Sequence, residues 1–302
     1  MGLLAALLSA LFSSSKDLMS KRLAFRLDGT ASTFASFAFA LPFYVLLLAG
    51  LYLFGHEAFT YSLAFLTLVL LRSITDTFAE WMKMYALGHG DLSVVAIAFS
   101  LSPLFLLVTS PLITRVPITW AEVVAVLLVV GGSMLMVYRP SAANWTAQKK
   151  GILLAFGASL FFSFNSCFDY LAVQKETPLT SGFAAATFAG FSMTLLSAAI
   201  LCPFVLGRGD RLKALHSHQG GLLIRGFLEV AFMVCKLYAL EFMDAPAVVG
   251  IQRLSLLLSI IGGRVFFKEA DFKRRLAAGA LIVVGVSLLA WWQLLKHTHA
   301  GD

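Results

Sequence analysis

Long apolar runs, separated by short polar clusters, recur from one end of the chain to the other. Many approach the ~20 residues that carry a helix across the hydrocarbon core of a bilayer. Ten segments can be placed, at about 2–24, 31–54, 62–87, 92–113, 118–138, 150–174, 179–206, 220–242, 245–267 and 272–295. The pattern predicts helices and not a barrel, which would alternate with period two over ~10-residue strands. Connections are short. The longest polar pieces are Arg139–Lys150 and Arg208–Gln219, so no soluble domain is expected. The run Gly2–Phe12 has no basic region before it and no small-residue cleavage site. It reads as the start of the first span and not as a removed signal peptide.

Composition sharpens this picture. Of 302 residues, 59% are hydrophobic and 13% are charged, against roughly 25% charged in a soluble domain. Too little charge is present to cover a water-facing surface, so the chain reads as a polytopic α-helical membrane protein. The net charge of +7 then has a topological explanation, and nucleic acid is not an expected partner. With ten spans, one side collects fourteen basic residues: Lys21, Arg22 and Arg26; Arg139, Lys149 and Lys150; Arg208, Arg211 and Lys213; Arg264, Lys268, Lys273, Arg274 and Arg275. The other side has three, Arg115, Lys175 and Lys296. Basic loops stay in the cytoplasm, which puts both termini outside. Cys167, Cys202 and Cys235 lie within apolar runs and read as buried thiols, with no metal or disulfide spacing.

One segment breaks the apolar pattern. LRSITDTFAEWMKMYALGHGD (Leu71–Asp91) carries Arg72, Asp76, Glu80 and Lys83 inside the third span. Shifted by 153 residues it falls on IRGFLEVAFMVCKLYAL: Arg72 meets Arg225, Asp76 meets Glu229, Lys83 meets Lys236, and the YAL triplets coincide. Asp91 meets Asp244 in the same register. Collinear matches follow: LVVGGSML (Leu128–Leu135) on IVVGVSLL (Ile282–Leu289), and SALFSS (Ser9–Ser14) on ASLFFS (Ala158–Ser163). Self-similarity in collinear order marks a repeat. Chance accounts for VVG but poorly for RxxxD/E…KxYAL. Five helices per unit is an odd number, so the second unit enters the membrane in the opposite sense. That inverted-repeat architecture is typical of secondary transporters. The fold class expected is an all-α integral membrane protein of ten transmembrane helices, with the first repeat over 1–145 and the second over 146–302.

From here the chain resembles the drug/metabolite transporter superfamily, in its ten-helix form built from two EamA-type halves. The resemblance covers nearly the whole chain. Its most specific part is Ala245–Trp291, a helix, an FFKE-like turn and a final glycine-containing helix. Two departures stand out. The first half has LITRVPIT (Leu112–Thr119) where the second has the acidic turn, and the charge bias puts the termini outside, where the family habit is inside. The resemblance implies a multi-pass protein of the bacterial inner membrane, a monomer or homodimer, that moves a small-molecule substrate by alternating access.

Charges at membrane depth are expensive unless they face a partner or a watery cavity. On a helix, Arg72, Asp76, Glu80 and Lys83 fall within an arc of roughly 80°, and Arg225, Glu229 and Lys236 within about 40°. Two readings compete. In one, Arg72–Asp76 and Arg225–Glu229 are i,i+4 pairs that only hold helices together. In the other, the stripes line a central cavity. Setting those two pairs aside leaves Lys83, Lys236 and Arg253 against Glu80, and this basic surplus points to an anionic or zwitterionic substrate. The substrate-binding candidates are Arg72, Lys83, Arg225, Lys236, Gln252 and Arg253, with Trp81, Tyr85 and Tyr238 as stacking surfaces. Gln252 and Arg253 are included because they resemble the basic pair of the phosphate-translocator and nucleotide-sugar branch, although Gln252 stands where that pair has Lys. Asp76, Glu80, Glu229 and Asp169 are the proton-coupling candidates. Lys16 and Asp17 read as a pair snorkelling near the membrane surface, and Lys16 aligns with Asn165.

The chain shows no nucleophile motif, no HExxH, no acidic metal cluster and no phosphate-binding glycine loop, so no cofactor or catalytic residue is expected and an ATP-driven pump is disfavoured. His216/His218 and His297/His299 are weak as metal spacings. Two alternatives stay open: a flippase-like carrier of a lipid-linked or phosphorylated sugar, and an intramembrane lipid-modifying enzyme using Asp76 or Glu80 with His89.

Overall fold

The computed structural model describes residues 1–24, 27–55, 61–89, 98–137, 149–174, 182–256 and 272–299, and these are all-helical apart from short turns. The helices are α1 (Gly2–Ala24), α2 (Gly29–Ala38), α3 (Leu41–Gly55), α4 (Leu63–His89), α5 (Ser102–Thr114), α6 (Trp120–Val137), α7 (Lys149–Gln174), α8 (Gly182–Leu206), α9 (Gly209–Ser217), α10 (Gln219–Phe242), α11 (Ala245–Gln252) and α12 (Phe272–His299).

Local chemistry sets several ends. The Asp28 side chain accepts from the Ala31 amide at 2.8 Å and starts α2, as an N-cap carboxylate does. The Glu122 carboxylate, three residues into α6, accepts from the Thr119 amide at 2.8 Å and the Thr119 hydroxyl at 3.0 Å. This is a capping-box exchange. The apolar stretch 31–54, expected as one helix, is divided at Phe39–Ala40. Pro42 supplies the reason, because it has no N–H to return to the Ala38 carbonyl. The polar piece Arg208–Gln219, expected as a loop, contains the short helix α9. Arg211 anchors it by donating to Asp28 and to the Phe204 carbonyl.

Among the described residues, three stretches can cross a membrane by length and composition: Gly29–Gly55 (α2 with α3), α7 and α8. Shorter apolar helices lie at Ser102–Thr114, Trp120–Leu135 and Ala278–Gln293. Helices α4 and α10 are as long, at 27 and 24 residues, but both carry buried charge.

The packing follows a pairwise exchange. α4 lies on α7, α1 lies on α10, α6 lies on α12, and α2 and α3 lie on α8. Shifted by the repeat offset, the first two pairs become one another and the α6–α12 pair maps onto itself. The α6–α12 crossing shows this at atomic scale. A Cβ on Gly132 would meet the Ala278 carbonyl at 2.7 Å, and one on Gly285 would meet the Ala125 carbonyl at 2.7 Å. Gly132 and Gly285, like Ala125 and Ala278, are 153 positions apart. Small residues are what let two membrane helices approach this closely.

Tyr44, Phe65, Leu106, Met193 and Leu237 sit fully buried in the main core. The outer face of α4 is the reverse: Leu71, Ile74, Phe78, Trp81 and Tyr85 are all exposed. An apolar stripe of this extent fits lipid and not water.

Candidate functional site

The inward faces of α1, α4, α7 and α10 carry the charges. Arg72 is the hub of the first cluster. Its Nη1 donates to Asp76 Oδ2 at 2.7 Å on the same helix, and its Nε donates to Asp169 Oδ1 on α7 at 3.0 Å. The other oxygen of Asp169 accepts from Lys236 Nζ on α10 at 2.8 Å. Asn165 Nδ2 donates to Asp76 Oδ1 at 2.9 Å. Asp169 is 0% exposed and is held by two cations from two helices. Such a group is stable only when both carboxylate oxygens are satisfied, as they are here.

The second cluster joins α1 to α10. Lys16 Nζ donates to Glu229 Oε1 at 3.2 Å and lies 3.9 Å from the centroid of the Phe232 ring. Arg225 Nη1 is 3.7 Å from Glu229 Oε2, and Arg225 Nε donates to the Ser20 hydroxyl at 2.8 Å. A third pair, Lys83 Nζ to Glu80 Oε1 at 3.1 Å, is less enclosed. Lys16 and Arg225 lie within electrostatic reach of Glu80, and Asp17 within reach of Lys83 and Arg253.

The structure therefore brings Arg72, Asp76, Asp169 and Lys236 together, and separately Arg225 and Glu229. It gives partners to two cations of the expected basic surplus. Lys236 is paired with Asp169 and Lys83 with Glu80, so neither is a free cation. Lys16 is buried and ion-paired across helices, while Asp17 is exposed; the two are not a surface pair. The three aromatic candidates lie away from these clusters. Trp81 and Tyr85 are each 39% exposed and project from the far side of α4, about 180° and 140° from Arg72. Tyr238 likewise turns away from Arg225, and its ring packs on Phe183 and Phe242 at 6.4 and 5.2 Å. Gln252 and Arg253 stand apart from both clusters. Gln252 Nε2 donates to Ser9 Oγ at 3.0 Å, and Arg253 Nη2 donates to the Phe99 carbonyl at 3.2 Å, with its Nε unpartnered among the described residues.

Lys16, Ser20 and Asn165 were not singled out as site residues. The signal was present for two of them: Lys16 and Asn165 occupy matching positions of the repeat inside apolar helices. Ser20 carries no signal until α1 is seen against α10. The acidic turn near 266–269, Asp91 and the side chains of His89, His297 and His299 lie outside the described residues. His216 and His218 bond locally, to Gln219 and to the Ala214 carbonyl.

Helices with enclosed charge walls and an apolar exterior define an integral membrane protein. The profile of the EamA-like transporter family matches the chain twice, over residues 1–138 and 149–291. The chain belongs to this family, and is a membrane transporter of the drug/metabolite transporter superfamily. No curated protein matches it. Among solved structures 29 chains match. One, described only as a crystal structure of a protein, superposes with a TM-score of 0.70 over 98% of each chain at 17% identity, a likeness that speaks for the fold.

Proposed function

We propose that the protein is a secondary transporter of ten spanning helices, arranged as two inverted five-helix halves that meet near residues 145–146. It moves a small anionic or zwitterionic metabolite across a bacterial inner membrane by alternating access. The observation that carries this reading is the duplicated charge network between α1, α4, α7 and α10. Its cross-helix contacts obey the repeat. Lys16 reaches Glu229 as Asn165 reaches Asp76, and Arg225 reaches Ser20 as Arg72 reaches Asp169. The offsets are 149 residues between the first and sixth expected spans and 153 between the third and eighth. Sites of inverted-repeat transporters lie where the halves meet.

Of the four candidate proton carriers, Glu80 fits best. Among the described residues its one hydrogen-bonding partner is Lys83, and its side chain retains 13% exposure. Asp76, Glu229 and Asp169 are each held from two residues. Orientation follows the positive loops, with both termini outside.

Protein reconstituted in liposomes without ATP should take up radiolabelled organic anions or amino acids, and an inward proton gradient should accelerate uptake. Uptake that ignores the gradient removes proton coupling and leaves exchange or facilitated diffusion. No uptake of any solute, with the protein folded and inserted, sinks the transporter reading.

A further inference from the structure

The two clusters are built on one plan. Glu229 stands for Asp76, and two further positions change the charge. Where the α4–α7 cluster has Asn165 and Asp169, the α1–α10 cluster has Lys16 and Ser20. Arg72 makes two charged hydrogen bonds, one to each of two carboxylates. Arg225 has Glu229 at 3.7 Å and a hydroxyl on Nε. Its Nη1 has no hydrogen-bond partner among the described residues, although Arg225 is only 4% exposed. Two cations, Lys16 and Arg225, thus share the single carboxylate of Glu229, and the cluster carries one net positive charge. Arginine's planar fork matches a carboxylate with two parallel donors, and a buried donor left without a partner is destabilising.

We propose that Arg225, Lys16 and Ser20 form the subsite for the anionic group of the transported substrate, and that this group is a carboxylate carrying one negative charge. It takes at Arg225 the place that the Asp169 side chain takes at Arg72. The proposal rests on the transporter reading above and deepens it. A monoanion matches the single surplus charge, whereas a phosphate monoester would bring close to two. The serine hydroxyl is uncharged where its repeat mate has a carboxylate. Lys16 and Arg225 are both buried, so the ligand reaches them when neighbouring helices part, as alternating access requires.

The test uses the full chain in detergent and in liposomes, with a panel of monocarboxylates, their matched primary amides, and phosphate monoesters. At least one monocarboxylate should raise the thermal midpoint of the wild type while its amide does not. Ser20→Asp brings in the missing carboxylate. It should raise the midpoint without ligand and weaken the carboxylate response tenfold or more. A Ser20→Asp protein that is folded and still responds to monocarboxylates like wild type overturns the proposal, as does a response to phosphate monoesters alone. Uptake separates the two levels. If the wild type transports solutes and Ser20→Asp moves anions unchanged, the subsite falls and the transporter stands. If the wild type transports nothing, the transporter reading falls first. Should Ser20→Asp fail to fold, Arg225→Gln takes its place, and an unchanged carboxylate response in it is equally fatal.

Discussion

The α4–α7 contact and the α1–α10 contact are two versions of one interface. Both place an arginine one turn before an acid on one helix, and both set against it residues four apart on the partner helix. In the first, Arg72 and Lys236 face Asp76 and Asp169, and charge is balanced. In the second, Lys16 and Arg225 both pair with Glu229, and Glu80 lies within electrostatic reach of both. A repeat conserves backbone register, while charge balance is set residue by residue. One copy therefore serves as a clamp between α4, α7 and α10, and the other leaves Arg225 Nη1 without a hydrogen-bond partner among the described residues. Asymmetry of this kind lets a symmetric scaffold bind an asymmetric ligand.

The comparison can be broken most forcefully at Asp169. Asp169→Ala leaves Arg72 and Lys236 buried with one carboxylate fewer. It should cost about 3–5 kcal/mol, the range for removing one partner of a buried pair. The repeat mate Ser20→Ala should cost about 1 kcal/mol, the worth of a hydrogen bond. Thermal unfolding of both variants in one detergent checks this, and equal losses would mean that the two interfaces do the same work. Next come the crossing glycines. Gly132→Val and Gly285→Val should each destabilise by about 1–3 kcal/mol through overpacking, and by the same amount, because each Cβ meets the same carbonyl of the opposite helix. A clear inequality in their midpoints would show that the α6–α12 contact is less symmetric than its backbone.

Glu80→Gln is expected to change stability by less than about 1 kcal/mol, since it breaks a partly exposed pair. Its effect should fall on coupling: uptake in liposomes should lose its response to a proton gradient while downhill exchange survives. A retained response would move the proton to Asp76, Glu229 or Asp169. The smallest effect belongs to Trp81→Ala. On the exposed stripe of α4 it should shift stability by about 0.5 kcal/mol or less and leave ligand response unchanged. A lost response would put the ring back into the site.

Much of the site was legible before any coordinates. The stripe Arg72–Asp76–Glu80–Lys83 follows from 3.6-residue periodicity, and the second stripe from the repeat. The outward direction of Trp81 and Tyr85 was legible too, by the same angular arithmetic that grouped the charges. Their candidacy came from nearness in sequence, which on a helix says little about facing. The division of 31–54 could be read from Pro42. The helix α9 could not, because a short amphipathic segment held by Arg211 and Leu215 gets its stability from what it packs on.

Periodicity and self-similarity belong to single segments, so the sequence by itself determined the membrane class, the charged faces and the duplication of the halves. Which helix lies against which is decided by packing between segments far apart in the chain. Only the tertiary structure could therefore give Lys236 to Asp169 and Lys16 to Glu229. The same packing left Arg225, alone of the two repeat-related arginines, with a hydroxyl in place of a second carboxylate. Ion pairing inside a bilayer depends on a few ångströms between side chains of different helices, and no pattern within one helix encodes that distance.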